Sequence, residues 1–299
     1  MRALPDRPHQ NPRVGFLGIG VQKCATSWLH GVLAQHSQIG TPDHKETDFF
    51  IARHDRGWRW YEDLFRDADV MGEFSPNYFT STDAAMRAHR YNPDMRLIAI
   101  LRDPVDRARS NHLHEIRKGH IPPDTPFEQA MQTNPAYIEQ GRYARHLDRW
   151  ITLFGETNCL ILLAEDIAAD PVSAFESVCD HLGVDRSVRP DGLQTRRHES
   201  VGARSPMLQG ALRAGGGTLR RLGLGGVVPQ LKAAAGLGHL VRHNKVDLRK
   251  SIPEMMPQTR AELGEIFAPD IAWVSARLKR DLPWPTGRQV ESRELQHAV

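Results

Sequence analysis

The stretch GFLGIGVQKCATSWLHGVL, from Gly15 to Leu33, constrains the fold more than any other part of the chain. It opens on an apolar run (Val14, Phe16, Leu17, Ile19, Val21), which predicts a buried strand. The run breaks at Lys23, the hydroxyl residues Thr26 and Ser27 follow, and Leu29, Val32 and Leu33 share one side of a helix expected over Trp28 to Gln35. A strand, a small-residue loop carrying a lysine, and a helix entered through hydroxyls together make an anion cradle. The first amides of a helix have no partner inside it, and the helix dipole favours negative charge there.

The spacing narrows the choice of anion. The nucleotide-hydrolase pattern G-x-x-x-x-G-K-[ST] needs Gly before the Lys and a hydroxyl directly after it. Here Gln22 precedes Lys23 and Cys24 follows, so the Mg²⁺-binding hydroxyl has no counterpart. The dinucleotide pattern G-x-G-x-x-G fails as well, because Lys23 fills the third glycine's place after Gly18 and Gly20. A plain strand-to-helix turn with an exposed lysine also fits this stretch taken alone.

Beyond it, strands and helices alternate. TPDHKETDFF (Thr41 to Phe50) reads as a loop anchored by Phe49 and Phe50, and GWRWYEDLF as a short aromatic helix. MGEFSPNYF begins as a strand and ends in a turn, and a helix over Asp83 to Arg90 stops at Asn92-Pro93. Leu97 to Leu101 is a continuous apolar run, as a central parallel strand covered on both faces requires. Val105 to Lys118 and Tyr143 to Phe154 predict helices, CLILLAEDI (Cys159 to Ile167) a second buried strand, and Pro171 opens a helix that Gly183 closes. The expected fold class is α/β, an open parallel sheet flanked by helices. From Asp185 to Lys250 the pattern weakens into basic and Gly-rich tracts, and Pro257 onward predicts one or two helices interrupted by Pro269. The reading is a single domain over residues 14–285, with 1–13 and 291–299 as flexible tails.

The formal net charge of +3 is small, so affinity for polyanions has to come from a local patch, and no nucleic-acid partner is expected. No stretch reaches the roughly 18–20 apolar residues of a membrane span, and the first residues carry no apolar leader. A cytoplasmic chain is expected, with room for peripheral contact with a membrane. The three cysteines are unpatterned, and none of the fifteen histidines stands in a metal-ligand spacing. No metal is expected.

Four segments, GVQKCATSWL, KETDFF, GEFSPNYF and ILRDPVDRARSNH, resemble in order the motifs of carbohydrate-type sulfotransferases. These enzymes use 3′-phosphoadenosine 5′-phosphosulfate (PAPS); the heparan sulfate N- and 3-O-sulfotransferases and their bacterial relatives are nearest in style. YARHLDRWITLFG and LLAEDIAADPVSAFESVCDHLGV are similar to the family's downstream helix and strand–helix unit, and DLPW is a weaker echo. The resemblance spans Val14 to Val184 and implies the P-loop-like sulfotransferase fold. It also implies transfer of a sulfuryl group from PAPS to an acceptor hydroxyl or amine, on a glycan, a glycolipid or a small alcohol or amine.

By the same resemblance Lys23 meets the phosphosulfate bridge, and Ala25, Thr26, Ser27 and Trp28 complete the cradle. Glu46 is the general base, titrating upward if desolvated, and Arg102 and Ser110 bind the 3′-phosphate, with Arg204 completing that site. His114 stands where some relatives carry an active-site histidine. Two positions depart from the family pattern: Ala25 where Gly is usual, and Phe74 where relatives often carry a Lys that contacts the sulfuryl group or the acceptor. Two other readings compete: a P-loop kinase or hydrolase, and a binding protein that keeps the cradle without turnover.

Overall fold

In the computed structural model, described over residues 12–194, 201–203, 245–247 and 252–286, the opening apolar run forms the middle strand of a sheet. In chain order the elements are β1 (Val14–Gly20), α1 (Thr26–Leu33), β2 (Ile39–Gly40), α2 (Phe49–Ala52), α3 (Trp58–Glu62), β3 (Val70–Phe74), α4 (Thr82–Tyr91) and β4 (Arg96–Leu101). There follow α5 (Pro104–Lys118), α6 (Phe127–Thr133), α7 (Ala136–Glu139), α8 (Tyr143–Phe154), β5 (Cys159–Leu163), α9 (Ala164–Ala169), α10 (Pro171–Leu182), β6 (Val201–Ala203), β7 (Lys245–Asp247) and α11 (Pro257–Leu278).

The main sheet has the order β2-β3-β1-β4-β5, and every pairing in it is parallel. The expected open parallel α/β sheet is therefore the fold. After β1 the chain builds β2 and β3 on one side and β4 and β5 on the other. The order thus reverses at β1, and the crevice beyond the carboxyl ends of such strands is where open α/β sheets bind ligands. The loops leaving β1, β2, β3 and β4 at that edge carry Lys23, Glu46, Ser75 and Arg102.

Reciprocal packing holds β1 against β3. The Phe16 ring lies over Gly72, where an added Cβ would stand 2.2 Å from it, and the Phe74 ring lies over Gly18, at 1.9 Å from such an atom. Both rings are fully buried, 6.1 Å apart and edge-to-face. Any side chain at either glycine would displace a ring.

The described residues fall into two compact units. The sheet lies in the unit drawn from residues 1–108, 135–197 and 257–299. The other is drawn from 109–134 and 198–256, and contains the antiparallel pair β6-β7 and a small cluster of Ile116, Ile252, Leu113 and Ile121. Three local expectations are corrected. The strand expected through Ile167 stops at Leu163, because Glu165 and Asp166 favour the first turn of α9. Pro269 sits inside the single helix α11 rather than dividing it, and Arg142 donates to the Ile266 carbonyl (2.5 Å) in the turn beside it. Two short helices, α6 and α7, follow α5 where none was expected. Most of 185–250 lies outside the described residues, as do residues 1–11 and 287–299.

Candidate active site

The cradle begins where β1 ends. Val21 donates to the Ile100 carbonyl (3.0 Å), which keeps the loop against β4, and the backbone then turns through left-handed conformations at Lys23 (φ 70°) and Ala25 (φ 63°). Such angles cost an L-residue on the order of 1–2 kcal/mol, so the surroundings must enforce them. Ala25 is the N-cap of α1 and supplies no capping side chain. Thr26 and Ser27 therefore sit within the helix rather than capping it, and the cap residue offers the α1 amides no side-chain acceptor. The indole N–H of Trp28, a buried residue, donates to the Leu193 carbonyl (3.1 Å), tying the helix to a later loop.

Positive charge is concentrated beneath this turn. Burial pushes the Cys24 thiol up to about 12, while the charges of Arg107, Arg102 and Lys23 pull the other way. Arg102 follows β4 directly; its carbonyl accepts from the Tyr143 hydroxyl (2.8 Å), and its charge also acts on Glu165. Its acidic neighbours are engaged elsewhere. Asp103 accepts from the Val105 and Asp106 amides (3.0 and 3.2 Å) and from Thr286, and Asp106 pairs with Arg260 at 2.6 Å. Arg107 is fully buried and donates to the Ala136 and Tyr137 carbonyls, while its Nε and Nη1 have no hydrogen-bond partner among the described residues. Burial lowers its pKa.

The KETDFF loop closes over the cradle. The Lys45 ammonium is 3.3 Å from both the Thr26 and Ser27 hydroxyl oxygens and 2.8 Å from the Glu46 carboxylate. Thr26, Ser27 and Glu46 are thus gathered at one edge, with Lys45 joining Glu46 to the helix and Lys23 in the turn before it. Glu46 (φ 69°) and Asp48 (φ 49°) are both left-handed, and the Glu46 side chain is 45% exposed. Burial and the Glu46 charge raise the Asp48 pKa.

Glu73, on β3, holds this conformation. It is fully buried and accepts from five donors: the Thr47 amide (3.1 Å) and hydroxyl, and the hydroxyls of Ser75 (2.7 Å), Tyr78 (2.7 Å) and Tyr61 (3.3 Å). Burial raises its pKa, against the pull of the Thr47, Ser75 and Tyr78 donors. Ser75 in turn accepts from the Asp48 amide (3.1 Å). Just behind, Phe49 stacks on Tyr61 at 4.2 Å and Phe50 packs edge-to-face on Tyr78 at 5.6 Å, both phenylalanines fully buried. They anchor the loop as its sequence suggested.

Phe74, where the resemblance expects a cation, points into the core against Phe16 and His30. Ser110 and His114 belong to the second unit, where Arg117 donates to His114 Nδ1 (2.9 Å). Arg204 lies outside the described residues. Sequence reasoning missed Lys45, Thr47 and Arg107 as parts of the arrangement. For Lys45 and Thr47 the signal was adjacency to Glu46; Arg107, one of several charged residues in DPVDRARS, carried none. No group of three His, Cys, Asp or Glu among the described residues could hold a metal ion, and none of their helices is long and apolar enough to cross a membrane.

Comparison with known proteins adds an independent line. A family model described as the sulfotransferase domain matches residues 16–200. The mouse heparan sulfate glucosamine 3-O-sulfotransferase 6 is 31% identical over 182 residues, 57% of this chain and 52% of that protein. The mouse bifunctional heparan sulfate N-deacetylase/N-sulfotransferase 4 is 33% identical over 197 residues, 56% of this chain and 22% of that protein. Among solved structures, a sulfotransferase from Alicyclobacillus acidocaldarius is similar with a TM-score of 0.65 and 25% identity, over 91% of this chain and 98% of that one. The chain spans about half the length of the 3-O-sulfotransferase it matches.

Proposed function

Since the chain belongs to the sulfotransferase domain family, we propose that it transfers the sulfuryl group of PAPS to a hydroxyl or amine of a glycan acceptor. The observation that carries this reading is the bridge from Glu46 to the Thr26 and Ser27 hydroxyls at the start of α1, directly after the turn that carries Lys23. The glycan class follows from relatives whose names state a heparan sulfate substrate.

The roles follow from charge and reach. The α1 amides with the Thr26 and Ser27 hydroxyls hold the 5′-phosphate oxygens. Lys23 faces the bridging oxygen, where negative charge grows as the sulfur–oxygen bond breaks. Arg102, at the end of β4, offers a bidentate guanidinium to the 3′-phosphate. Glu46 accepts the proton of the attacking acceptor group. The products are the sulfated acceptor and adenosine 3′,5′-bisphosphate. No step calls for a metal. Positioning and electrostatics are the catalytic means, as in phosphoryl transfer. Cys24, standing where a nucleotide hydrolase needs a hydroxyl, disfavours the kinase alternative.

The test is incubation with sulfur-labelled PAPS and a panel of glycans, glycolipids and small alcohols, with products read by mass. A mass gain of one sulfuryl group on a glycan, absent with Lys23→Ala, is expected. PAPS left intact across the panel, with no bisphosphate binding, would overturn the reading.

A further inference from the structure

Lys45 has no part in the roles above, yet it stands at their centre. Its ammonium bridges the Thr26 and Ser27 hydroxyls and the Glu46 carboxylate, and its side chain is 17% exposed. This is an unfavourable place for a cation, because the N-terminal end of α1 carries the positive pole of the helix dipole. Lys23 lies in the turn that leads into the same helix. Among the described residues Glu46 is the one acid bonded to Lys45, and the Asp48 charge also acts on it. A cation held against the positive end of a helix is balanced when an anion enters between them.

A second observation concerns position 74. Phe74 is fully buried with its ring over Gly18, so the side chain after Glu73 supplies no charge to the carboxyl edge of the sheet. Lys23 and Lys45 are the two lysines beside the cradle among the described residues.

We propose that Lys45 is a catalytic cation that binds the sulfuryl oxygens of the phosphosulfate, doing from the KETDFF loop what position 74 cannot do. This rests on the PAPS reading above. With the 5′-phosphate seated on the Thr26 and Ser27 hydroxyls, the sulfuryl group bonded to it comes within reach of the Lys45 ammonium. On its arrival the ammonium exchanges the Glu46 carboxylate for sulfuryl oxygens, which leaves Glu46 free to take a proton. The sulfur–oxygen bond to the 5′-phosphate then breaks, its electron pair staying on the phosphate. The bond from acceptor to sulfur forms, and the acceptor proton passes to Glu46. Lys45 keeps its own proton throughout, so it contributes charge and not acid–base chemistry. It also makes seating of the donor a condition for release of the base.

Calorimetric titration of PAPS and of adenosine 3′,5′-bisphosphate into the wild-type chain, Lys45→Met and Lys45→Arg tests this. Methionine keeps the reach without the charge. Lys45→Met is expected to weaken PAPS by roughly tenfold to hundredfold, the equivalent of one charge-assisted hydrogen bond, and the bisphosphate by several-fold less. Lys45→Arg is expected to recover most of the loss. Wild-type affinity for PAPS in a folded Lys45→Met, or equal losses for both ligands, would overturn the assignment while leaving the PAPS reading intact. A wild-type chain that binds neither ligand overturns that reading itself, and the role of Lys45 with it.

Discussion

The carboxylate of Glu73 accepts both the amide and the hydroxyl of Thr47, the residue that follows Glu46. This pair fixes the loop at the point where its backbone is left-handed on either side, at Glu46 and Asp48. A flexible loop would not hold two such conformations next to one another, since each costs on the order of 1–2 kcal/mol in an L-residue. Five donors on one buried carboxylate offset that cost and stiffen the loop in a single geometry.

Replacing Glu73 by Gln places an amide NH₂ against at least two of these donors whichever way it is turned, because each carboxylate oxygen accepts from two or more. The unmet groups are expected to destabilise the fold by about 1–3 kcal/mol. The loop also shifts, so turnover should fall about 100-fold, the scale of a misplacement near 1 Å. Adenosine bisphosphate affinity should change little, because the cradle is built on β1 and α1. Denaturant unfolding, calorimetry and turnover together separate the two effects. A loss of bisphosphate binding as large as the loss of turnover would count against a positioning role.

Ala25 stands at a left-handed position (φ 63°, ψ 12°), which accounts for the glycine that the family pattern has there. Ala25→Gly removes the steric cost and adds the backbone entropy of glycine, so a net gain of up to about 1 kcal/mol in stability is expected. Ala25→Val, β-branched at the same angles, should destabilise the chain and weaken bisphosphate binding. Urea unfolding of the two variants against the wild type checks the sign of each change.

Much of this was legible in the sequence, and the parts that were not share a physical reason. β1 and β4 were readable because strands covered on both faces must be continuously apolar. α8 was readable because Leu147, Trp150 and Phe154 recur at helical spacing and face the core. Glu73, by contrast, is one acid in a strand, and its partners come from the loop after β2, from α3 and from the turn after β3. Its role is a three-dimensional fact with no local signature. The same holds for Lys45, which adjoins Glu46 in the sequence with nothing there to show its reach to Thr26 and Ser27. α9 was lost to a strand because the apolar run CLILLA gives no sign of where it turns.

His54 sets a pH dependence of stability. Its ring lies 5.5 Å from Phe49 and 5.0 Å from Trp58, and burial, then the charges of Arg87 and Arg90, depress its pKa from 6.5 to about 4. The unfolded chain therefore binds the proton more readily than the folded one. The contribution is fully present above 6.5 and is lost as pH falls from there toward about 4. Melting temperature should decline through that window in the wild type. His54→Phe, which keeps an aromatic ring among aromatic neighbours, should flatten the decline. An identical slope in the two proteins would show that other groups dominate, among them His112, His146 and His181, whose pKa values are also lowered by burial.

Phe74→Lys restores the residue type that the family pattern has after the buried glutamate, and it is expected to fail. The Phe74 ring fills the space above Gly18 and meets Phe16 and His30, all on the core side of β3. A lysine there leaves part of that volume empty and puts an ammonium where the ring makes only apolar and edge contacts. Loss of a core phenylalanine costs about 3–5 kcal/mol, and an unpaired buried charge adds to it. The variant should melt far below the wild type and gain no activity from its new cation. A double change, Gly18→Ala with Phe74→Leu, tests the packing separately, because it trades ring for methyl across the same contact. It should be more stable than Gly18→Ala alone, in which the added methyl would lie 1.9 Å from the ring. If Phe74→Lys instead folded normally and turned over faster than wild type, the side chain would have to leave the core for the carboxyl edge. Lys45 would then not be the cation that serves the sulfuryl group.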